Sequence, residues 1–127
     1  MYVNTSIRST QQIGFAAEEA ATVFLRGQGL TIVLRNFRRR LGELDIIARI
    51  EDVLVIAEVR TRSGRRHGGA AASVGARKQR RLVRAAAQLL QRRKDLAQLR
   101  VRFDELVVHD ACGPQPRIEW IQHAFTA

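Results

Sequence analysis

The sequence predicts an α/β protein, a mixed β-sheet flanked by helices in the order α-β-β-β-α-β-β. Two stretches carry apolar residues at helical spacing, and five shorter ones are rich in aliphatic residues. The order helix, three strands, helix, two strands suits a sheet of mixed strand directions with helices packed on it. At 127 residues, nearly half of them apolar, the chain has the size and core of one domain. Residues 1–8 read as a loose tail and 9–127 as the domain.

Ser9, with Gln12 three residues later, reads as a capping box that opens the first helix. Ile13, Ala17, Ala20, Ala21 and Phe24 then recur at helical spacing, and Gly27 and Gly29 mark the end. Glu18 falls at the border of the apolar face, and Glu19 points further out. Leu30 to Arg38 reads as a first strand and Leu41 to Ile50 as a second. Val53 to Arg62 is a third, whose unbroken apolar start suits burial on both faces. Ser63 to Ala72 is a loop rich in Gly and Ala, and Ser73 is placed to cap a second helix running to about Arg93. Leu82, Val83, Ala86, Leu89 and Leu90 form its apolar stripe, and Arg77, Arg81, Arg84 and Gln88 a separate polar one. Arg100 to His109 is a fourth strand, Gly113 to Pro116 a turn, and Arg117 to Ile121 a short fifth strand.

The charge is one-sided. There are 22 basic residues against 12 acidic ones, and all the basic ones but Lys78 and Lys94 are arginine. Between Glu58 and Asp95 the chain holds Arg60, Arg62, Arg65, Arg66, Arg77, Lys78, Arg80, Arg81, Arg84, Arg92, Arg93 and Lys94, and no acid. Such a block is the electrostatic footprint of a polyanion-binding surface. Arginine suits phosphate because its planar fork donates two hydrogen bonds at once. Arg62, Arg65, Arg66, Arg77, Lys78, Arg81 and Arg84 are the candidate nucleic-acid-binding residues. A solvated basic face is the plain alternative, and charge alone does not distinguish a nucleic acid from an acidic protein.

One cysteine, Cys112, precludes an internal disulfide and suits a reducing compartment. No apolar run approaches the ~20 residues that span a bilayer, and the start of the chain lacks a signal peptide's apolar stretch. A cytoplasmic protein with no membrane association is expected. The sequence leaves the oligomeric state open, a homodimer included. His67, His109 and His123 show no metal-ligand spacing. Cys112 reads as inert, Asp104 as structural and paired with Arg102 or another arginine, and Trp120 and Phe125 as core.

Two acids carry more information. If strands two and three form a hairpin at Glu51 and Asp52, Ile50 lies opposite Val53, Ile47 opposite Ile56 and Asp45 opposite Glu58. Their Cβ atoms would then be about 4.5–5.5 Å apart. Glu-Asp is a poor two-residue turn, so the register has room to shift. Opposed carboxylates repel, and something must compensate: a proton, an intervening arginine such as Arg60, or a divalent cation. Spacing alone does not choose among them.

The blocks Gly14–Ala21, Leu34–Arg38, Gly42–Ala48 and Glu58–Arg62 resemble the YraN family of small bacterial proteins. So do Ser73-Val74 with Lys78, Arg102-Phe103-Asp104, and Glu119-Trp120-Ile121 with Ala124-Phe125. The resemblance runs from about residue 13 to 125. That family is similar to the PD-(D/E)XK superfamily, the restriction-endonuclease-like fold shared with Holliday junction resolvases. The resemblance implies that Glu18 is the helix acid, Asp45 the strand-two aspartate, Glu58 the strand-three glutamate, and Arg60 the residue at the lysine position. It implies that Asp45 and Glu58 hold Mg²⁺ or Mn²⁺, that Glu18 orients a water, and that Arg60 stabilises charge on phosphate. Two departures stand out. Leu44 replaces a proline of no chemical role, and Arg60 replaces a lysine. Arginine stabilises charge but does not act as a base, its pKa being above about 12. Lys78, on the first turns of helix two, is within conceivable reach of the site, although phosphate contact or solvent is its plainer role. The reading is a divalent-metal-dependent endonuclease acting on nucleic acid, DNA ahead of RNA and branched DNA among the forms. Its rival is a non-catalytic nucleic-acid-binding protein on the same scaffold.

Overall fold

The computed structural model describes residues 9–40, 42–62 and 74–127. The expected tail, the Gly- and Ala-rich loop with Arg65, Arg66 and His67, and Ser73 lie outside them. Helix α1 spans Thr10–Gly27, strands β1 Thr31–Arg39, β2 Gly42–Ile50 and β3 Val53–Arg62, helix α2 Ala76–Arg92, and strands β4 Arg100–His109 and β5 Arg117–Phe125. This is the expected order. The five strands lie in sequence order across one sheet. β3 and β4 are parallel and the other neighbours antiparallel. The parallel pair follows from α2, which supplies the crossover that parallel neighbours need.

The helices cover opposite faces. The capping box forms, with Ser9 Oγ accepting from the Gln12 backbone N–H at 3.0 Å and Gln12 Oε1 from the Ser9 N–H at 2.9 Å. Ala17, Ala21 and Leu25, each one turn after the last, are fully buried against Ile46, Ala48, Val55, Ala57, Leu106 and Val108. Two alanines on this stripe let the helix approach the sheet closely. Gly29 ends it at φ 93°, a left-handed conformation that glycine adopts without strain. On the other face Leu82, Ala85, Ala86 and Leu89 of α2 pack on Leu44, Ile47, Leu54, Ile56 and Phe103, with Val83 and Leu90 at the margin. Ala85 completes a stripe whose other members the spacing identified.

Three expectations are corrected. The N-cap of α2 is Gly75, which has no side chain to cap with, rather than Ser73; the helix starts later, and no side chain caps its first turn, although Gln79 Nε2 donates to the Val74 carbonyl at 2.6 Å. β5 continues past Ile121 to Phe125, because a register shift opposite Phe103–Glu105 and a left-handed His123 (φ 53°) let the strand bend and resume pairing. Asp45 and Glu58 are not directly opposed, because the β2–β3 ladder stops at Ile46–Ala57; Arg60 pairs with Glu105. The β2–β3 register is the expected one, Ile50 opposite Val53 and Ile47 opposite Ile56. Its unpromising turn holds because Glu51 takes φ 52° and Arg100 on β4 grips Asp52, donating its backbone N–H to the Asp52 carbonyl at 2.8 Å. No helix among the described residues is long and apolar enough to cross a membrane.

Candidate active site

The site lies where β2 and β3 part. Their ladder runs from Ile50–Val53 to Ile46–Ala57 and stops there. In β2 the alternation of faces breaks at this point: Ile46 and Ala48 lie in the α1-side core, but Leu44 joins Ile47 in the α2-side core. Asp45 is the residue at the break. Its carboxylate accepts the backbone N–H of Val59 at 2.8 Å, replacing the ladder bond that a regular β2 would make. Asp45 and Glu58 are therefore not a regular ladder pair, yet their carboxyl groups are close enough across the fork for each to shift the other's ionisation.

Both acids are held largely away from water, Glu58 at 9% exposure. Burial pushes the Glu58 carboxyl up to about 8; the charge of Asp45 adds to the rise and Lys78 opposes it. Asp45 is also raised, by burial, against the Val59 N–H that favours its anion. A proton on Glu58, shared with Asp45, reconciles the two acids at neutral pH. Lys78 Nζ, from the first turn of α2, lies 2.8 Å from Glu58 Oε2. Glu58 Oε1 is buried with no donor among the described residues.

Arg60 follows Glu58 on the same side of β3 and turns to β4, where its Nη1 donates to Glu105 Oε2 at 3.1 Å. Glu105 is 1% exposed and lies beside Glu58 in the parallel ladder. Glu18 looks out from α1 toward Asp45, both lining one cleft. Its Oε1 accepts from Arg35 Nε and Asn36 Nδ2, each at 2.9 Å. Neighbouring strand residues normally face opposite ways; the left-handed Asn36 (φ 56°) lets both reach the same oxygen.

Two clefts flank the fork. One, of about 640 Å³ on the α2 side, reaches Glu58 between Lys78, Arg81 and Arg84 of α2 and Arg39 and Arg40 at the end of β1. The other, of about 380 Å³ on the α1 side, reaches Asp45 past Gly14, Phe15, Glu18 and Asn36. Glu43 borders both. Of the candidate phosphate contacts, Lys78, Arg81 and Arg84 therefore converge on one cleft. Arg77 is exposed elsewhere on α2, Arg62 ends β3, and Arg65 and Arg66 lie outside the described residues. Sequence reasoning passed over Arg39, Arg40 and Glu105. The Arg38–Arg40 run was a visible signal for the first two. An acid inside an apolar strand was the signal for Glu105.

Away from the fork, Asp104 is paired with Arg102 at 2.8 and 2.9 Å, as expected, and also accepts from Trp120 Nε1 at 2.8 Å and the His123 N–H at 3.1 Å. Trp120 packs edge-on against Phe24, and Phe125 stacks on Phe103. His109 contacts Glu119, and Cys112 is exposed.

The donor set can be tested against a divalent cation. No three His, Cys, Asp or Glu side chains come together as a metal cluster among the described residues, so a closed zinc-type site is not formed there. Two carboxyls in contact, one carrying a buried oxygen with no donor, do fit Mg²⁺ or Mn²⁺, which are held by one or two carboxylates with water and phosphate oxygens completing the shell.

Residues 17–108 match the family described as "Uncharacterised protein family UPF0102". A UPF0102 protein of Cupriavidus necator is 46% identical over 123 residues, 95% of this chain and 88% of that protein. One of Alcanivorax borkumensis is 43% identical over 119 residues, covering 94% and 95%. One of Pseudomonas aeruginosa is 41% identical over 124 residues, covering 97% and 99%.

Proposed function

The chain belongs to the UPF0102, or YraN, family, and from that premise we propose that it is a divalent-metal-dependent endonuclease acting on nucleic acid in the cytoplasm, with DNA the first substrate to test. The observation that carries the reading is the buried contact between Asp45 and Glu58, with Glu58 Oε1 undonated, at the head of a basic cleft. Asp45 and Glu58 would hold Mg²⁺ or Mn²⁺. When bound, the ion supplies Lewis acidity toward a phosphate oxygen and lowers the pKa of water.

The chain's own residues divide the remaining work. Arg39, Arg40, Arg81 and Arg84 draw the phosphate backbone into the cleft without reading sequence. The Val59 N–H fixes the Asp45 carboxylate, so its position does not depend on a ligand. Lys78 is the cation at Glu58: it stabilises the anion and is positioned to hold negative charge that develops on a phosphate. On this reading Lys78 takes the part that the lysine-to-arginine change removed from position 60. Arg60 is then a positioning residue that neutralises Glu105 beside Glu58. Glu18, tied to Arg35 and Asn36, shapes the field at Asp45 and keeps its second oxygen for water.

The rival reading, binding without cleavage, draws on the same contact, because Lys78 and a proton together satisfy the pair without a metal. One set of assays decides. Linear, nicked, single-stranded and four-way-junction DNA, and RNA, are incubated with Mg²⁺ or Mn²⁺. The enzyme reading expects metal-dependent cleavage that Asp45→Asn abolishes, that Lys78→Ala lowers about 10²-fold or more, and that Arg60→Lys leaves largely intact. It also expects metal at ten times its dissociation constant to stabilise the fold by about 1.4 kcal/mol, and Asp45→Asn to remove that gain. Binding without cleavage of any form, and a melting temperature indifferent to millimolar metal, would establish the rival.

A further inference from the structure

The two clefts beside the fork differ in chemistry. The α2-side cleft is lined with arginine and lysine. The α1-side cleft has a lip of a different kind, formed by Gly14 and Phe15 of α1. Phe15 is 67% exposed, the most exposed of the large apolar side chains among the described residues. Gly14 stands inside the helix, where glycine is unfavourable relative to alanine. A Cβ built on it would meet no residue beyond its chain neighbours within 4 Å, so this side of α1 is open. Two locally unfavourable residues therefore stand side by side at the mouth of the cleft whose floor is Asp45. Such departures from local preference concentrate where a site needs them.

We propose that Gly14 and Phe15 form a stacking shelf for an unpaired base of the substrate, next to the phosphate that approaches Asp45 and Glu58. Phosphates run along the basic cleft on one side of the fork, and a base turns onto Phe15 on the other. A base inside a duplex has no free face to offer, so the shelf selects nucleic acid with unpaired nucleotides at the reacting position: single strands, flaps or branch points. Gly14 keeps the shelf clear for a ring, and Glu18 with Asn36 offers polar atoms to the base edge. The proposal deepens the nuclease reading and rests on it only in that the fork must handle nucleic acid.

The test is equilibrium binding in EDTA, where no cleavage occurs, to a labelled single strand and to a blunt duplex of the same sequence. The wild-type protein should favour the single strand. Phe15→Ala should lose roughly tenfold in affinity for the single strand, with duplex affinity within about twofold. Phe15→Trp should keep the affinity and add a fluorescence change on binding single strand, over the Trp120 background, that duplex does not produce. Gly14→Leu should close the shelf with the same loss as Phe15→Ala while melting no lower than wild type, which separates occlusion from misfolding. Equal effects on both ligands, or none, would overturn the shelf; if charge reversal at Arg81 and Arg84 still weakens binding, the nucleic-acid reading survives that failure. A wild-type protein that binds neither ligand overturns both.

Discussion

Asp104 and Glu58 are buried acids on adjacent strands, 2% and 9% exposed, and their surroundings are opposite in kind. Around Asp104 every approach is filled: two bonds from Arg102, the Trp120 indole and the His123 amide. Around Glu58 there is one lysine, a second carboxyl in contact, and an oxygen with no donor among the described residues. The first arrangement spends a charge on holding β4 and β5 together. The second leaves a buried carboxyl oxygen unanswered and a pKa strongly raised, the combination that marks a candidate functional acid. Burial alone does not separate a structural acid from a functional one; the count of donors does.

The largest effect that would break this contrast is at Asp104. Asp104→Ala strands Arg102 and the Trp120 N–H, and should cost about 3–5 kcal/mol in urea unfolding. A loss under about 1 kcal/mol would mean the cluster is not structural. Arg60→Ala comes next. It leaves the buried Glu105 without its guanidinium and should cost about 1.5–3 kcal/mol, with Arg60→Lys recovering part; were Arg60 chiefly a phosphate contact, stability would not change.

A third effect has the opposite sign. Glu58 has a folded-state pKa of about 8 against an ordinary value of 4.5. The folded protein keeps a proton that the unfolded chain releases. Its contribution to stability is therefore full below about pH 4.5, is lost as pH rises, and is gone above about 8. Metal-free Glu58→Gln should remove this slope and unfold at higher urea than wild type at pH 9. Parallel curves for the two proteins across pH 5 to 9 would refute the assignment.

Much of this was legible in the sequence, for definable reasons. The approach of Asp45 to Glu58 follows from a short hairpin, a local rule, although the strand period that would put them face to face breaks just before they meet. The Ser9–Gln12 box and the Asp104–Arg102 pair are also local. The reach of Lys78 is not: it depends on where a crossover helix settles on a sheet, which no residue spacing encodes. The Arg60–Glu105 pair needs the parallel β3–β4 register, set by the same crossover. The convergence of Arg39 and Arg40 with α2 needs both. The fork itself, where Asp45 leaves the ladder to take the Val59 N–H, departs from the very alternation by which strands are recognised.

Gly42 opens β2 against α2, and a Cβ there would sit 2.9 Å from the carbonyl oxygen of Arg81. The helix that carries Lys78, Arg81 and Arg84 is thus stopped by main chain on main chain, with no side chain between to yield. The gap between the carboxylates and the cations facing them works as a gauge block: its width is machined into the backbone. A single added methyl group would act as a shim under one end of α2, and the counter-ion of Glu58 and the two arginines of the basic cleft would shift together.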